Sequence, residues 1–184
     1  CLQIPYLYCI IQLKKNQMRI LILGGHGFIG CHTSDILKQQ GHTIGVVDCY
    51  HQYYTFPDKE YFPILQIRKD HANSDQTFVG KIEDESFMAT VFQEFKPTVV
   101  IHLATYPNAK MVARNVTDAT NNMVTATAII LNLCVKSNVK RFVFASSSMA
   151  YGEFNGKIPN ETVACNPNTL YGSYKHQGER LIFY

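Results

Sequence analysis

The sequence predicts an α/β protein with a doubly wound parallel sheet. Short apolar runs alternate along the chain with amphipathic stretches of helical period, a pattern typical of parallel strands joined by crossover helices. The first apolar run also stops abruptly at a set of closely spaced glycines. A chain of 184 residues is long enough to bury one solid core.

The first two predicted strands enclose a helix. Residues 19–23 contain a short apolar run that ends at glycine, which predicts the first strand. The stretch 28–40 predicts a helix, and Gly41 stands where a helix commonly ends. Residues 43–47 predict the second strand, which ends in Asp48.

The middle of the chain predicts a long loop followed by a strand, a helix and another strand. Residues 49–75 are polar and aromatic, and we expect a loop there with one short helix at 60–68. The strand at 76–79 is followed by a helix at 85–95, in which large apolar residues recur every four positions. The run at 98–103 is rich in β-branched residues, as expected of a strand that is buried on both faces.

The remaining sequence continues the alternation. A long helix is predicted at 116–137, a strand at 141–145, a polar loop at 155–168 and a last helix at 169–183. Since each strand is separated from the next by a crossover segment, the strands are expected to run parallel.

Three glycines recur at a spacing of three where the first strand turns into the first helix: Gly24, Gly27 and Gly30. Such a turn leaves backbone N–H groups at the positive end of a helix dipole, which suits a pyrophosphate. Gly24 allows the tight turn, Gly27 a close approach of backbone to ligand, and Gly30 the contact between helix and sheet. The spacing predicts a dinucleotide site of the Rossmann type.

Asp48 is placed to complete that site. It follows Gly30 by 18 residues, close to the position at which a carboxylate holds the adenosine ribose hydroxyls. Residues 49–52 contain no Lys or Arg. Because a 2′-phosphate would meet the Asp48 carboxylate and no nearby cation, we expect NAD rather than NADP.

Tyr171 and Lys175 stand four residues apart on the last predicted helix, a spacing that puts both side chains on one face. A neighbouring ammonium favours the phenolate form of tyrosine, which makes Tyr171 a candidate general base. The same spacing occurs at Tyr106 and Lys110. There Pro107 disfavours helical geometry at Tyr106, so we interpret that pair as a coincidence in a loop.

Composition and charge exclude several function classes. The net charge of +3 is small and scattered, which argues against nucleic acid as a partner. No apolar stretch has the length of a membrane span. Cysteines at 1, 9, 31, 49, 134 and 165 show no metal-binding spacing, so we expect reduced thiols in a cytoplasmic protein without a metal.

Residues 1–17 precede Met18 and are expected to be a disordered or non-native extension.

From Met18 onward, the chain resembles the N-terminal part of the extended short-chain dehydrogenase/reductase family, which includes the NAD-dependent nucleotide-sugar epimerases and dehydratases. Ordered blocks carry the resemblance: Leu-Gly-Gly-His-Gly-Phe-Ile-Gly at 23–30, Asp48, Ile-His-Leu-Ala-Thr at 101–105, Asn-Asn at 121–122, Val-Lys-Arg-Phe-Val-Phe-Ala-Ser-Ser-Ser-Met-Ala-Tyr-Gly at 139–152, and Tyr171 with Lys175. The resemblance implies a Rossmann domain at 18–184, NAD as the cofactor and a nucleotide-sugar, such as a UDP-sugar, as the substrate.

The resemblance also implies roles for single residues. Tyr171 would take the proton from a sugar hydroxyl, Lys175 would hold the nicotinamide ribose and lower the pKa of Tyr171, and Ser147 would hydrogen-bond the reacting oxygen. NAD would accept a hydride and, in an epimerase, return it to the other face of the keto-sugar. Besides Tyr171 and Lys175, the implied cofactor contacts are Gly24, Gly27, Phe28, Ile29, Gly30, Asp48, Ile82, Leu103, Ala104, Thr105 and Asn121.

Several positions differ from the family's sequence pattern or favour one reaction within the family. Lys81 stands where an Asp usually accepts from the adenine amine, and a lysine cannot accept a hydrogen bond. Leu23 replaces a usual Thr. Met149 and Ala150 occupy the positions of an Asp-Glu pair in the sugar 4,6-dehydratases, so epimerase chemistry is favoured. The stretch 48–54 resembles the corresponding loop of UDP-glucuronate 4-epimerases, and a UDP-glucose 4-epimerase remains a nearly equal alternative.

Two alternatives to an epimerase remain open: a dehydratase or reductase of the same family, and a non-catalytic NAD-sensing or scaffold protein. In the family, the chain continues past the Tyr-x-x-x-Lys motif into a smaller substrate domain. We therefore expect an incomplete Rossmann domain that binds NAD weakly and does not turn over alone. The helices at 116–137 and 169–183 could pair two subunits in a homodimer, or could merely cover the sheet.

Overall fold

The computed structural model of the protein describes residues 17–54, 57–154, 156 and 160–183. All but the last residue of the predicted extension 1–17 lies outside this described part. Within it, the strands are β1 (Arg19–Leu23), β2 (Thr43–Asp48), β3 (Gln76–Val79), β4 (Val99–His102) and β5 (Arg141–Phe144). The α-helices are α1 (Phe28–Gln39), α2 (Asp58–Ala72), α3 (Glu85–Phe95), α4 (Ala109–Arg114), α5 (Val116–Thr120), α6 (Ala126–Lys136) and α7 (Leu170–Ile182). A π-helical turn (Asn121–Thr125) joins α5 to α6, and a 3-10 turn (Ser148–Ala150) follows β5.

The strands form one sheet in the order β3-β2-β1-β4-β5, and every pair of neighbours is parallel. This order confirms the predicted doubly wound sheet. The chain moves outward from β1 to β3 and then returns to the other side of β1 to form β4. In such sheets, ligands bind at the carboxyl ends of the strands where the direction of winding changes. Here that point lies between β1 and β4.

The central strand β1 is buried on both faces, as its continuous apolar run predicts. Leu21 and Leu23 belong to a cluster on one face that includes residues of α3 and α6. Ile20 and Ile22 belong to a second cluster with residues of β2 and β4. Burying one such side chain fully contributes about 1.5–3 kcal/mol to folding stability. The buried strand β1 therefore fixes the position of the turn that follows it.

The helix α3 has the bounds that the sequence predicts. The Asp84 side chain caps it by accepting a hydrogen bond from the backbone N–H of Phe87 at 3.0 Å. The helix buries its recurring apolar residues against the sheet and ends at Lys96, whose φ of 51° is left-handed. In the described part of the chain, no helix has both the length and the apolar character that a bilayer span requires.

Two stretches contain more helix than the sequence predicts. The short helix expected at 60–68 is longer, running from Asp58 to Ala72, because the polar sequence can continue a helix whose only buried residue is Ala72. The segment around Lys110, predicted as a loop, contains α4. Asn108 caps this helix by accepting from the backbone N–H of Met111 at 3.1 Å, and Val112 anchors it in a small apolar cluster.

The long helix expected at 116–137 is present but is not regular. Its middle is the π-helical turn from Asn121 to Thr125. A π turn carries more residues per turn than an α-helix, so it shifts the face on which the following side chains lie. Within this turn Asn122 and Met123 are buried.

Candidate functional site

The glycine turn between β1 and α1 is packed tightly on one side and open on the other. Gly24 has a φ of +80°, and a Cβ there would meet the Ala104 backbone nitrogen at 2.8 Å. A Cβ on Gly30 would lie 2.2 Å from the Gly24 carbonyl oxygen. A Cβ on Gly27 would meet only that oxygen within 4 Å, at 3.1 Å. Gly24 and Gly30 are thus required by packing, whereas Gly27 leaves space for a ligand.

The N-terminus of α1 faces this space. Its capping residue is Gly27, which has no side chain to satisfy the N–H groups of the first turn, and those groups have no acceptor within the helix. The side chains of Phe28 and Ile29 point away from the core and are 70% and 64% exposed. The turn therefore presents backbone donors and the positive end of the helix dipole to an anion.

Asp48 is held beside the turn by two backbone hydrogen bonds. Its carboxylate accepts from the N–H of His26 at 3.1 Å and from the N–H of Tyr50 at 2.9 Å. Each oxygen keeps a further lone pair for a ligand hydroxyl. Lys81, two residues past β3, is exposed. Ile82 is 4% exposed and belongs to the core beneath the site.

The end of β4 closes the other side of the turn. The N–H groups of Leu103 and Ala104 both donate to the Leu23 carbonyl, at 2.9 and 2.8 Å. These bonds fix the backbone of 103–105 next to the glycine turn. The hydroxyl of Thr105 is buried and has no hydrogen-bond partner among the described residues.

The two asparagines of the π-helical turn have different environments. Asn121, which the resemblance implied as the cofactor contact, is exposed. Asn122 is 8% exposed, and its amide donates to the Glu83 carboxylate at 3.4 Å while its amide oxygen has no partner among the described residues. The sequence does not separate the two, because its pattern predicts a regular helix through this stretch. Asn122 is therefore the better candidate for a role inside the site.

The helix α7 carries Tyr171 and Lys175 over the end of β5. Thr169 caps this helix by accepting from the N–H of Gly172 at 3.1 Å. Lys175 is 3% exposed, and its ammonium donates to the Ala145 carbonyl at 2.8 Å. The ammonium also lies 5.0 Å from the Phe144 ring centre and 5.9 Å from that of Tyr171. Burial lowers the pKa of Lys175 to about 8.

Tyr171 does not have the lowered pKa that the sequence leads us to expect from Lys175. Burial raises the pKa of Tyr171 above its usual value, and a hydrogen bond with the Ser147 side chain opposes that rise. The physical reason is that the ammonium of Lys175 bonds to Ala145 and not to the phenol. Ser147 is itself oriented, since its hydroxyl accepts from the Met149 N–H at 3.2 Å.

His102 belongs to this region, although the sequence does not single it out within the block 101–105. Thr127 donates its hydroxyl to the Met123 carbonyl at 2.8 Å, so it can only accept from His102 Nε2, 3.3 Å away. The ring is therefore protonated on Nε2, and Nδ1 is a buried acceptor without a partner among the described residues. Burial, with a smaller effect of the Lys175 charge, lowers the pKa of His102 to about 3.

The second pair with four-residue spacing is not assembled into a site. Tyr106 is 4% exposed, and its hydroxyl donates to the Asp118 carboxylate. Lys110 is exposed on α4. Tyr106 thus has a structural partner, in agreement with the interpretation of this pair as a coincidence, although Lys110 lies on a helix and not in the expected loop.

Replacing Lys175 with Met should stabilise the fold at neutral pH. Because the folded pKa of about 8 lies below the ordinary value of 10.5, folding at pH 7 requires the burial of an ammonium ion. This unfavourable contribution disappears as the pH rises from about 8 to about 10.5. We expect K175M to raise the free energy of unfolding by about 1–3 kcal/mol at pH 7, since the lost bond to Ala145 offsets part of the gain.

Urea unfolding at pH 7 and pH 10 measures this effect, with Lys110→Met as an exposed control. The gain should shrink at the higher pH for K175M and should be absent for K110M. An equal gain at both pH values would show that the buried charge is not its cause.

A model of the NAD dependent epimerase/dehydratase family matches residues 20–184. Among curated relatives, the UDP-glucose 4-epimerase of Caenorhabditis elegans is 33% identical over 173 residues, which cover 90% of this chain and 48% of that protein. UDP-glucuronate 4-epimerase 2 of Arabidopsis thaliana is 28% identical over 172 residues, which cover 91% of this chain and 38% of that protein. The chain thus spans about half the length, or less, of the curated relatives it matches.

The fold of this chain is also similar to solved structures of UDP-glucose 4-epimerases. The UDP-glucose 4-epimerase of Thermus thermophilus, in complex with NAD, superposes with a TM-score of 0.75 at 26% identity, over 90% of this chain and 50% of that one. The UDP-glucose 4-epimerase of Thermotoga maritima, with UDP-glucose, gives a TM-score of 0.73 at 29% identity, over 89% of this chain and 50% of that one.

Proposed function

Because the chain belongs to the NAD dependent epimerase/dehydratase family, we propose that it forms the cofactor-binding and catalytic half of an NAD-dependent nucleotide-sugar epimerase. One observation carries the proposal: Ser147, Tyr171 and Lys175 come together at the end of β5, on the same sheet edge as the glycine turn. A protein that only sensed the cofactor would need the turn but not this cluster.

The residues around the turn fit NAD. Space at Gly27 and the uncapped start of α1 suit the pyrophosphate, and Asp48 suits the ribose hydroxyls of the adenosine. The buried hydroxyl of Thr105, which has no partner in the part of the chain that the structure describes, is of the kind that a ligand satisfies. When bound, NAD would supply the acceptor of a hydride from the sugar and return that hydride later.

The cluster at the end of β5 would handle the proton of the sugar hydroxyl. The phenolate of Tyr171 would take this proton as the carbon that bears the hydroxyl loses its hydride, and the phenol so formed would return the proton when the keto group is reduced on the other face. Ser147 favours the phenolate by donating to it and would also hold the reacting oxygen. Lys175 would hold the cofactor ribose through the ammonium that now bonds to Ala145.

The residues after the serines support epimerisation over dehydration. Loss of water from a sugar needs a group that gives a proton and a group that removes one. Met149 and Ala150 can do neither, and Ala150 is also 1% exposed. These two positions therefore offer the keto-sugar no acid or base for the loss of water, which favours its re-reduction.

Product analysis tests the proposal. The protein, in the longest form that its gene encodes, is incubated with UDP-glucose or with UDP-glucuronate without added reductant, and the sugars are separated by chromatography. We expect the 4-epimer of one of these substrates. A dehydrated or net reduced product would contradict the proposal, and so would NAD binding without any product from a panel of nucleotide-sugars. For the 184-residue chain alone, we expect weak NAD binding and no turnover.

Asp48→Asn should weaken NAD binding and reduce discrimination against NADP. The amide keeps one oxygen for the backbone N–H groups but loses the negative charge that a ribose hydroxyl would bond to. Hydrogen bonds to charged groups contribute about 1.5–3 kcal/mol, so the affinity for NAD should fall roughly 10- to 150-fold. Calorimetric titration with both cofactors measures the change. Asp35→Asn on α1 is the control, and equal losses for both variants would rule out a direct role for Asp48.

A further inference from the structure

Three side chains with metal-binding atoms meet beside α7. His176 and Glu179 lie on that helix, and Cys165 lies in the segment that leads into it. A thiol sulfur, an imidazole nitrogen and a carboxylate oxygen from these residues all lie within 4.8 Å of one another. All three residues are partly buried, so the cluster is open to ions from solvent yet shielded by protein.

The three donor groups differ in the partners they already have. The Glu179 carboxylate accepts from the Ser146 hydroxyl through one oxygen, and its other oxygen lies 3.5 Å from His176 Nδ1. That nitrogen is buried and has no hydrogen-bond partner among the described residues. Cys165 is a free thiol, and burial together with the Glu179 charge raises its pKa. The cluster therefore offers an ion an unpaired imidazole nitrogen, a carboxylate oxygen and a thiol sulfur.

We propose that Cys165, His176 and Glu179 form a binding site for Zn²⁺. A thiolate, an imidazole and a carboxylate are the ligand types that this ion takes in proteins, whereas Mg²⁺ and Ca²⁺ avoid sulfur. Zinc bonds of about 2.0–2.3 Å place tetrahedral ligands roughly 3.3–3.8 Å apart. The present separation of up to 4.8 Å closes to that range when the side chains move by about 1 Å.

The sequence predicts no metal site, because these residues match no zinc spacing. His176 and Glu179 are three apart and share a helix face, but Cys165 comes 11 residues before His176. Only the fold of the segment before α7 brings the thiol to the helix. A bound ion would tie this segment to α7 and, through Glu179 and Ser146, to the end of β5 next to Ser147.

Cobalt absorption tests the proposal on the 184-residue chain without NAD, so that its failure leaves the epimerase proposal untouched. Thiolate bound to Co²⁺ gives an intense near-ultraviolet band that nitrogen and oxygen ligands alone do not give. We expect a saturable band with one ion per chain, displaced by Zn²⁺. Cys165→Ser should abolish the band, and His176→Ala should weaken Co²⁺ binding at least tenfold. Cys49→Ser, which removes an exposed thiol outside the cluster, should keep the band.

Alkylation mapped by mass spectrometry gives a second readout on the unmodified chain. Zn²⁺ should slow the modification of Cys165 by iodoacetamide at least fivefold and leave that of Cys49 unchanged. The proposal is overturned if the parent chain gives no cobalt band, if the band survives in C165S, or if Zn²⁺ protects both cysteines equally.

Discussion

Tyr171→Phe should lower turnover by about 10²- to 10⁴-fold, the usual contribution of a positioned acid or base. The variant keeps the ring that packs beside the residues of α4 and α5 but lacks the hydroxyl that would move the proton. That hydroxyl is the group hydrogen-bonded to Ser147, and phenylalanine has no polar atom that could replace it. Cofactor affinity should change by less than about threefold, since the glycine turn and Asp48 are untouched.

Tyr174→Phe is the matched control for this prediction. Tyr174 lies on the same helix, and its hydroxyl shares a hydrogen bond of 2.9 Å with Thr120, away from Ser147. Its loss should leave most of the turnover intact. Comparable losses of turnover in the two variants, or full activity in Y171F, would contradict the assignment of Tyr171 as the base. Product formation by the longest encoded form of the protein and NAD titration of each variant provide the two measurements.

Alanine substitutions at Gly27 and at Gly30 should have different effects. The first should weaken ligand binding, and the second should destabilise the fold. The Gly30 methyl group would lie 2.2 Å from the Gly24 carbonyl oxygen and 2.7 Å from Gly25 Cα. Relief requires backbone movement, so we expect G30A to lose about 2–4 kcal/mol of folding stability. Gly27 has a φ of −68° and a ψ of 172°, which alanine adopts freely. G27A should therefore change the unfolding free energy by about 1 kcal/mol or less.

At Gly27 we expect the substitution to weaken cofactor binding more than it destabilises the fold. Its new methyl group would occupy the space in front of the α1 N-terminus, so NAD affinity should fall at least tenfold, or about 1.4 kcal/mol, in a protein that remains folded. Urea unfolding and calorimetric titration of both variants measure the two effects. Unchanged NAD affinity in G27A would mean that the cofactor does not approach this turn.

The parts of the molecule that the sequence predicted are those governed by neighbouring residues. The turn after β1 follows from an apolar strand that meets glycines at fixed spacing. The bounds of α3 follow from Asp84 as a cap and from apolar residues recurring every four positions. In both cases the signal and the structure it specifies are close together along the chain, so no knowledge of distant contacts was needed.

The features that the sequence did not predict depend on contacts between distant segments. In the π-helical turn Asn122 is buried and Asn121 is exposed. The shifted pKa values of Tyr171 and Lys175 follow from burial and, for Tyr171, from the opposing hydrogen bond with Ser147, which spacing on a helix cannot reveal. The same holds for Cys165, which reaches His176 only through the path of the segment before α7.

The most direct test of the proposed cofactor site is a titration of the isotope-labelled 184-residue chain with NAD, followed by amide NMR spectra. This measurement needs no substrate and no further domain. We expect saturable shifts at the amides of Gly27, Phe28 and Ile29, at the residues around Asp48 and at Thr105, with smaller changes on α2. NADP should produce these shifts only at higher concentration. The absence of saturable shifts, or shifts confined to surfaces away from the carboxyl ends of β1, β2 and β4, would contradict the assignment of this edge as an NAD site.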